Sequence, residues 1–576
     1  MKKTTKTFFF TTSIVLTLYL VGCGSNKTKQ VVSDKITSPK DLENHTQEFK
    51  KEIIKVTDGV YVAIGYGLAN SILIEGKDSV VIVDVLESMQ AAAEVQKAFA
   101  KISAKPVKAL IYTHYHPDHV YGAQAFVGKG NKVAVYAHET TPRYLDEIAT
   151  VTREIHQIRS LRMFGVFLDQ KALVNAGIGE HLHIDEGATL GLIRPTHLFA
   201  KTLSVNLAGV SFELIHAPGE TDDQIFVWLP EKKVMLCGDN YYKTFPNLYT
   251  IRGTRYRDPM QWVNSLDIIR QKMPEFLVPS HTRPLLGKEK IYQTITDYRD
   301  AIQYIHDQTV RGMNKGFTPD ELVTMVKLPK HLAEKPYLQE FYGTVAWSVR
   351  NVFNGYIGFF DGNPSTLLPL APKEKAARMA KLAGGEKQLL QQCQQAVSQK
   401  DWQWALELTD YLMRLDVNNN TYKDLRIQAL TALGEQQSNP NARHYYLTHV
   451  LELKGLKNDG NMVKNTAEVA HDVPLHAIFK ALAVHLNADK SANTNTKVVF
   501  DFPDEKAQYT LWVRYGVAEV QPFAMEKPDL KVVVNGDIWK EIVARLRSPL
   551  WAYTNGQMKI EGSSNDFKAF MDLFQE

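Results

Sequence analysis

The stretch THYHPDHVYG, residues Thr113–Gly122, places three histidines and one aspartate close together on the chain. The apolar run VKALIYT precedes it and predicts a buried strand that ends in a loop. His114 and His116 are two residues apart, so both side chains point the same way from an extended strand end. A single histidine is most often a satisfied polar residue, but neutral imidazole and carboxylate together are the usual ligands of zinc. The stretch therefore predicts a metal site, and its four candidate ligands are more than one partly open site needs, which favours two ions.

Three further segments end an apolar run with a possible ligand. They are IHAPGET with Glu220, KVMLCGDN with Asp239 and FLVPSHTRP with His281. Each residue alone is more typical of a cap or a turn. Taken with the first stretch, they complete a set of ligands for two metal ions.

The wider pattern divides the chain into three folded parts. Residues 49–318 alternate short Val/Ile-rich runs with helical patterns, which predicts a layered α/β domain. Residues 319–458 are mainly helical and suit an interaction or dimerisation module. Residues 473–576 combine helices with the runs KVVFDFP, QYTLWVRYG and KVVVNG, which predicts a small α+β domain.

The N-terminus has the pattern of an export signal. Residues 1–22 comprise a basic start and an apolar run, too short and wrongly flanked for a stable spanning helix. Residues 23–48 are polar and predict a tether.

The formal net charge of +4 includes Lys2, Lys3 and Lys6, so the body of the chain shows no nucleic-acid footprint. The three cysteines make no disulfide framework.

With these segments in place, the chain resembles the metallo-β-lactamase superfamily, whose HxHxDH motif THYHPDH matches at every defined position. Glu220 directly after Pro-Gly resembles the alkyl sulfatase branch, as do NLYTIRG and YGTVAWSVRNVFNGYIGFFDGNP. WVRYG and NGQMKIEG resemble a sterol-carrier-type domain. The resemblance implies an αββα sandwich, then an all-α helical dimerisation domain, then a small α+β sterol-carrier-like domain.

The same resemblance implies roles for individual residues. One zinc would be held by His114, His116 and Glu220, and the other by Asp118, His119 and His281. Asp239 would bridge the two ions, at a position where this branch usually has glutamate. A metal-bridging hydroxide would cleave an alkyl sulfate ester to alcohol and inorganic sulfate, with Asp118 and Arg252 as catalytic residues. Arg252, Asn247 and Tyr356 would contact the substrate.

The resemblance also bears on assembly and location. The LVGC ending resembles a lipobox, which implies cleavage before Cys23 and its acylation. The protein would then be an exported bacterial lipoprotein on the periplasmic side of the envelope, and Gly24 fits sorting to the outer membrane. The helical domain implies a homodimer.

Two other functions stay open at this point. One is a dimetal hydrolase of another anionic ester, such as a phosphoester, and the other is a non-catalytic, lipid-binding envelope lipoprotein. Glu220 and the two additional domains disfavour β-lactam hydrolysis. The residues leave open the alkyl chain length, primary or secondary esters, C–O or S–O cleavage, and the identity of the metal.

Overall fold

The structure is a computed structural model that describes residues 29–128, 130–184, 187–460, 462 and 466–575. The predicted signal peptide and Cys23 lie outside the described residues. Among the described helices, none combines the length and apolarity needed to cross a bilayer.

Two sheets form the centre of the first domain. The first sheet follows chain order and is antiparallel from β1 to β4 and parallel from β4 to β7: β1 (Glu52–Thr57), β2 (Val60–Ile64), β3 (Ser71–Glu75), β4 (Val80–Val83), β5 (Val107–Ile111), β6 (Ala134–His138) and β7 (His197–Phe199). The second has the order β13-β12-β11-β10-β9-β8, with β8 (Thr202–Leu207), β9 (Val210–His216), β10 (Ile225–Leu229), β11 (Val234–Gly238), β12 (Phe276–Pro279) and β13 (Leu285–Leu286).

Helices cover both outer faces of this sheet pair. The helices of this part of the chain are α1 (Lys40–His45), α2 (Met89–Ala100), α3 (Pro117–Val120), α4 (Ala123–Val127), α5 (Thr141–Ala149), α6 (Arg153–Met163), α7 (Gln170–Leu173), α8 (Pro259–Lys272) and α9 (Lys288–Met313), with a 3₁₀ turn at Thr46–Phe49. Apolar side chains of both sheets share one core, while α2 packs on the first sheet and α8 and α9 pack on the second. The predicted αββα sandwich is confirmed.

The segment 29–48 corrects the predicted tether. Gln30 N donates to Phe167 O at 2.7 Å, and Val32 and Ile36 are each only 2% exposed. Leu42 of α1 is fully buried. The polar composition was misleading, because a few well-spaced apolar side chains suffice to hold a short segment against a domain.

The second part is helical, as predicted. It comprises α10 (Pro319–Met325), α11 (Lys330–Ala333), a 3₁₀ turn at Pro336–Leu338, α12 (Val345–Ile357), α13 (Pro364–Leu367), α14 (Pro372–Leu382), α15 (Glu386–Ser398), α16 (Trp402–Leu415), α17 (Asn420–Gln436) and α18 (Pro440–Leu453). The side chains of Asp401, Asn419 and Asn439 cap α16, α17 and α18. Arg443 of α18 is buried and donates to Ala172 O at 2.7 Å, which joins this part to the first domain.

The third part is the predicted small α+β domain. Its sheet has the order β16-β15-β14-β17-β18. Its elements are α19 (Ala467–Asp472), α20 (Leu475–Val484), β14 (Asn495–Phe502), β15 (Ala507–Arg514), β16 (Val517–Gln521), β17 (Leu530–Val534), α21 (Gly536–Val543), α22 (Pro549–Thr554), β18 (Met558–Glu561) and α23 (Ser564–Asp572). Phe479 of α20 and Trp539 of α21 fill the core on one face of this sheet.

Candidate metal centre

The seven predicted ligands all lie at one edge of the sandwich. Each follows the end of a strand: β5 precedes the histidine-rich stretch, β9 precedes Glu220, β11 precedes Asp239 and β12 precedes His281. All are at most 8% exposed: His114, His116, Asp118, His119, Glu220, Asp239 and His281. Strand ends that meet at one sheet edge therefore bring together residues from four separate parts of the chain.

Asp239 lies at the centre of this cluster. Its Oδ2 is 3.1 Å from His281 Nε2, 3.5 Å from His119 Nε2 and 3.7 Å from His114 Nε2. Its Oδ1 is buried with no hydrogen-bond partner among the described residues. Asp239 belongs to two of the groups of candidate ligands, and a buried carboxylate that faces three imidazoles fits the chemistry of a metal ligand.

The other ligands lie on two sides of Asp239. On one side, Asp118 Oδ2 is 3.5 Å from both His119 Nε2 and His281 Nε2. On the other side, His116 Nδ1 is 2.8 Å from His114 Nε2 and 3.9 Å from Glu220 Oε1.

Three overlapping groups within the cluster have ligand atoms within 4.8 Å of one another: His114–His119–Asp239, Asp118–His119–His281 and His116–Glu220–Asp239. His119 Nε2 and Glu220 Oε2 are buried without a hydrogen-bond partner among the described residues. Unsatisfied buried nitrogen and oxygen donors of this kind fit divalent metal ions.

Burial and charge divide the histidines into two kinds. Burial holds the pKa of His114 and His116 well below the usual histidine range, which keeps both rings neutral and able to ligate. Burial also acts on His119, but the carboxylates of Asp118 and Asp239 outweigh it and hold its pKa well above that range. The same site thus contains neutral ligands and concentrated negative charge, which a cation would balance.

Asp84 supports the cluster from behind, and the sequence analysis missed it. It follows β4 with a φ of +56° and is fully buried. Its carboxylate accepts hydrogen bonds from Thr113 N at 2.8 Å, Ser280 Oγ at 2.7 Å and His119 Nδ1 at 2.7 Å. The bond to Nδ1 fixes the tautomer of His119 and leaves Nε2 to ligate. The signal was available, because VVIVDV ends an apolar run with a carboxylate as KVMLCGD does.

Asp84→Asn is expected to weaken metal binding by about 10- to 100-fold. An amide NH₂ facing His119 Nδ1 would favour the tautomer with its proton on Nε2, the atom that faces Asp118 and Asp239. Competition with a chromogenic chelator measures the dissociation constant. Unchanged affinity in a folded variant would show that Asp84 does not set the tautomer.

Two glycines allow the ligand loops to approach one another. Gly238 has a φ of +55°, and a Cβ there would lie 1.9 Å from Gln224 Nε2. A Cβ on Gly219 would lie 2.2 Å from Asn240 Oδ1, which accepts a hydrogen bond from Glu220 N at 3.0 Å. The residues before Asp239 and Glu220 must therefore be small for both ligands to reach the cluster.

Two arginines flank the His116 side of the cluster. Arg252 Nη2 donates to His116 Nε2 at 3.2 Å, and its side chain is half-buried. Arg257, which the sequence analysis did not select, is 2% exposed, and its Nη2 lies 2.8 Å from Glu220 Oε1. Asn247 is fully buried, its carbonyl oxygen accepts from Arg257 Nη1, and both of its amide side-chain atoms lack partners among the described residues. Arg252 and Arg257 thus each contact one of the candidate ligands, and Asn247 is joined to Arg257.

Within one chain, Tyr356 makes no contact with the ligand cluster or with the two arginines beside it among the described contacts. Its side chain is 57% exposed at the end of α12, and its hydroxyl lies 2.8 Å from His306 Nε2. The buried side of α12 carries Asn351, which donates to Arg257 O at 3.0 Å. Within a single chain Tyr356 therefore lies on the opposite, outward side of the helix, and its contact with a substrate stays a prediction.

The fold and the metal-ligand cluster define a member of the metallo-β-lactamase superfamily, whose family model matches residues 64–281. Two further family models, alkyl sulfatase dimerisation and alkyl sulfatase C-terminal, match residues 318–455 and 463–576.

The most informative relatives are similar along nearly the whole chain. A linear primary-alkylsulfatase from Pseudomonas sp. (strain ATCC 19151) is 37% identical over 87% of this chain and 98% of the relative. An (R)-specific secondary-alkylsulfatase from Pseudomonas sp. is 28% identical over 90% of this chain and 80% of the relative. The solved structure of the stereoselective inverting sec-alkylsulfatase Pisa1 from Pseudomonas sp. superposes with a TM-score of 0.86 at 26% identity, covering 94% of this chain and 88% of that one. The chain belongs to the alkylsulfatase family and is an enzyme.

Proposed function

We propose that this protein hydrolyses alkyl sulfate esters to an alcohol and inorganic sulfate at a site that holds two zinc ions. One observation carries the proposal: a buried cluster of seven candidate metal ligands is in direct contact with Arg252 and with the buried Arg257. The relatives named as primary and secondary alkylsulfatases support sulfate as the anion.

The chain supplies ligands for both ions. His114, His116 and Glu220 would hold one, Asp118, His119 and His281 the other, and Asp239 would lie between them. When bound, such a pair lowers the pKa of water toward neutrality and polarises ester oxygens. Asp84 holds the tautomer of His119, and Leu68 O accepts from His281 Nδ1 at 2.9 Å, so both rings present Nε2 to the cluster.

The sulfate group would be bound by the donors on the His116 side. A guanidinium matches a tetrahedral anion because its N–H groups form a planar fork. Arg252 is accessible enough to contact a ligand, while Arg257 Nε and the Asn247 amide are buried with no partner in the described chain. These groups would bind and orient the ester, and they would stabilise charge that develops on sulfate oxygens during cleavage.

The test is metal-dependent sulfate release. The full chain is stripped of metal with a chelator, reloaded with zinc, and incubated with dodecyl sulfate, 2-octyl sulfate and octyl phosphate, and anion chromatography follows the products. We expect sulfate from at least one sulfate ester, loss of release with chelator, and loss in His116→Ala but not in the control His331→Ala, which alters an exposed histidine of α11. Phosphate release without sulfate release would replace the proposal with a phosphoesterase, and metal binding without turnover of any ester would favour a non-catalytic role.

We propose further that the protein is a homodimer, in which apolar side chains around the end of α12 and on α13 and α14 contact the second copy. This region matches the alkyl sulfatase dimerisation family and exposes large apolar side chains that a soluble surface seldom carries together: Tyr356, Ile357, Phe359, Leu367, Leu368 and Leu382. In the dimer, the second copy would cover Tyr356. Through this interface Tyr356 could still approach a substrate-binding site.

Leu368→Glu combined with Phe359→Glu is expected to convert the dimer to a monomer. Leu368 is 89% and Phe359 87% exposed in one chain, so two carboxylates there are harmless to the monomer but costly in a buried interface. Sedimentation velocity measures the mass. Leu550→Glu, at a 69% exposed position of α22, is the matched control and should stay dimeric. A dimer that survives the double change would place the interface elsewhere.

The location of the protein is also a proposal, and the sequence alone supports it. Cleavage before Cys23 and acylation of this residue would anchor the protein in the outer membrane, facing the periplasm. Metabolic labelling with a fatty acid should then label the wild-type chain and leave Cys23→Ser unlabelled. Equal labelling of both would refute the anchor.

A further inference from the structure

A second group of potential metal ligands lies on the segment that follows α7, and it shares no residue with the cluster described above. The ligand atoms of Glu180, His181 and His183 lie within 4.8 Å of one another, and all three side chains are partly buried. We propose that these residues bind a separate divalent transition-metal ion of the zinc, copper or nickel class. The proposal does not rest on the proposed hydrolytic function.

The two histidines already lie side by side. Their rings are stacked, with centroids 3.8 Å apart and an angle of 9° between the planes. Leu182 between them is buried in an apolar core, so its side chain anchors the segment while both imidazoles lie together. Two zinc–nitrogen bonds of about 2.0 Å at a tetrahedral angle place donor atoms about 3.3 Å apart. The ligand atoms here lie within 4.8 Å of one another, so metal binding would require the side chains to rotate until these atoms are about 3.3 Å apart.

A second stacked histidine pair shows what distinguishes this one. His138 and His216 have centroids 3.9 Å apart at 14°, but their nitrogens are engaged by the protein. His138 Nδ1 lies 2.8 Å from Thr140 Oγ1, and His216 Nε2 donates to Asp222 O at 2.6 Å. In contrast, His183 Nε2 is buried with no hydrogen-bond partner among the described residues. A buried polar atom in this state is destabilising unless something binds it, and a metal ion does so.

The electrostatic state of His183 suits ligation. Burial, with smaller contributions from His181, Lys51 and Lys29, lowers its pKa to about 3, so its ring is neutral and carries a free lone pair. The two lysines oppose a cation, and the Glu180 carboxylate supplies the compensating charge. Two nitrogens and one oxygen are the donor set of zinc, copper or nickel and leave room for water as a further ligand. We expect weaker binding here than at the cluster of seven ligands.

The backbone that carries these ligands is held in place. His183 N donates to Glu87 Oε1 at 2.7 Å, and the same carboxylate accepts from Leu68 N at 3.0 Å. A Cβ on Gly179 would lie 2.4 Å from Leu68 O, so the segment packs closely on Leu68. Rigid support of this kind limits the ordering that metal binding must impose.

Metal counting with matched variants tests the site. The full chain is stripped, saturated with zinc, freed of excess metal on a desalting column, and measured by inductively coupled plasma mass spectrometry. We expect one zinc ion fewer per chain in His183→Ala and in His181→Ala than in wild type. His216→Ala, in the hydrogen-bonded stacked pair, should retain the wild-type number.

A spectroscopic measurement separates this site from the larger cluster. In His114→Ala/His116→Ala/His119→Ala, which leaves the larger cluster with His281 as its only imidazole, one equivalent of Cu²⁺ should give an electron paramagnetic resonance spectrum with splitting from two imidazole nitrogens. Adding His183→Ala should reduce this to one nitrogen, and circular dichroism confirms that each variant is folded. Glu180→Gln keeps both imidazoles and should lower the affinity only. The proposal is overturned if the folded histidine variants hold as much zinc as wild type and the Cu²⁺ spectrum does not change.

Discussion

Asp239→Asn is expected to reduce sulfate release by more than about 100-fold, because loss of a direct ligand should exceed the typical cost of losing a residue that only supports one. Asp239 Oδ2 lies 3.1 to 3.7 Å from three histidine nitrogens on both sides of the cluster. Asparagine keeps the shape but removes the negative charge that would attract two cations. Bound metal should therefore fall below two ions per chain, as measured by mass spectrometry beside the rate of sulfate release.

Two companion variants separate charge from folding. Asp297→Asn alters another buried carboxylate, on α9, which accepts hydrogen bonds from Gln293 of the same helix and from Tyr337. This variant should retain both metal and activity. Asp239→Glu restores the charge but adds one methylene at a buried position, and overpacking of this kind costs about 1–3 kcal/mol of stability. If Asp239→Asn keeps two ions and full activity, Asp239 is not a shared ligand and the arrangement of the two ions proposed above is wrong.

The sequence was sufficient to predict that these seven residues meet at one place, because each is of a ligating type and lies in a loop or short helix that follows an apolar strand. It was insufficient for Asp84, although this residue also ends an apolar strand. The role of Asp84 depends on Ser280, which lies 196 positions away, and on a backbone φ of +56°. No pattern within one segment contains that information.

The outward position of Tyr356 and the burial within residues 29–48 escape sequence reasoning for the same physical reason. The position of a side chain relative to a site depends on how an entire helix is rotated, and α12 places Asn351 inward and Tyr356 outward. The segment 29–48 is polar on average, yet Val32, Ile36 and Leu42 are buried against the domain. Averages over composition cannot identify which few side chains find an apolar surface, whereas long periodic elements such as α9 are determined locally.

Arg257→Leu is expected to cause the second large effect, on both stability and substrate binding. Burial raises the pKa of Glu220 to about 7, and Arg257, 2.8 Å away, is the main influence that favours the charged form. Removing one partner of a buried ion pair destabilises a protein by about 3–5 kcal/mol, since the remaining charge is left uncompensated. We expect this loss in the metal-free protein, as measured by chemical denaturation.

Metal and anion should respond differently to this change. A bound cation would compensate Glu220, so the difference in stability between wild type and Arg257→Leu should shrink when metal is loaded. Metal cannot replace the Arg257 N–H groups beside the ester. The metal-loaded variant should therefore still have a kcat/KM reduced by about 100- to 1,000-fold and weaker inhibition by inorganic sulfate. Arg257→Lys keeps the charge but not the fork, and should recover stability more than it recovers catalysis.

Arg255→Leu is the matched control in the same segment. Arg255 pairs with Glu147 at a half-exposed surface position, so its loss should change stability by at most about 1 kcal/mol. If Arg257→Leu loses stability but keeps wild-type sulfate inhibition and kcat/KM once metal is loaded, Arg257 only positions Glu220. If catalysis falls in the metal-loaded variant while its stability is restored, the guanidinium acts on the substrate anion itself. The two roles of Arg257 are thus separable because the metal can replace its charge at Glu220 but cannot replace its N–H groups at the sulfate.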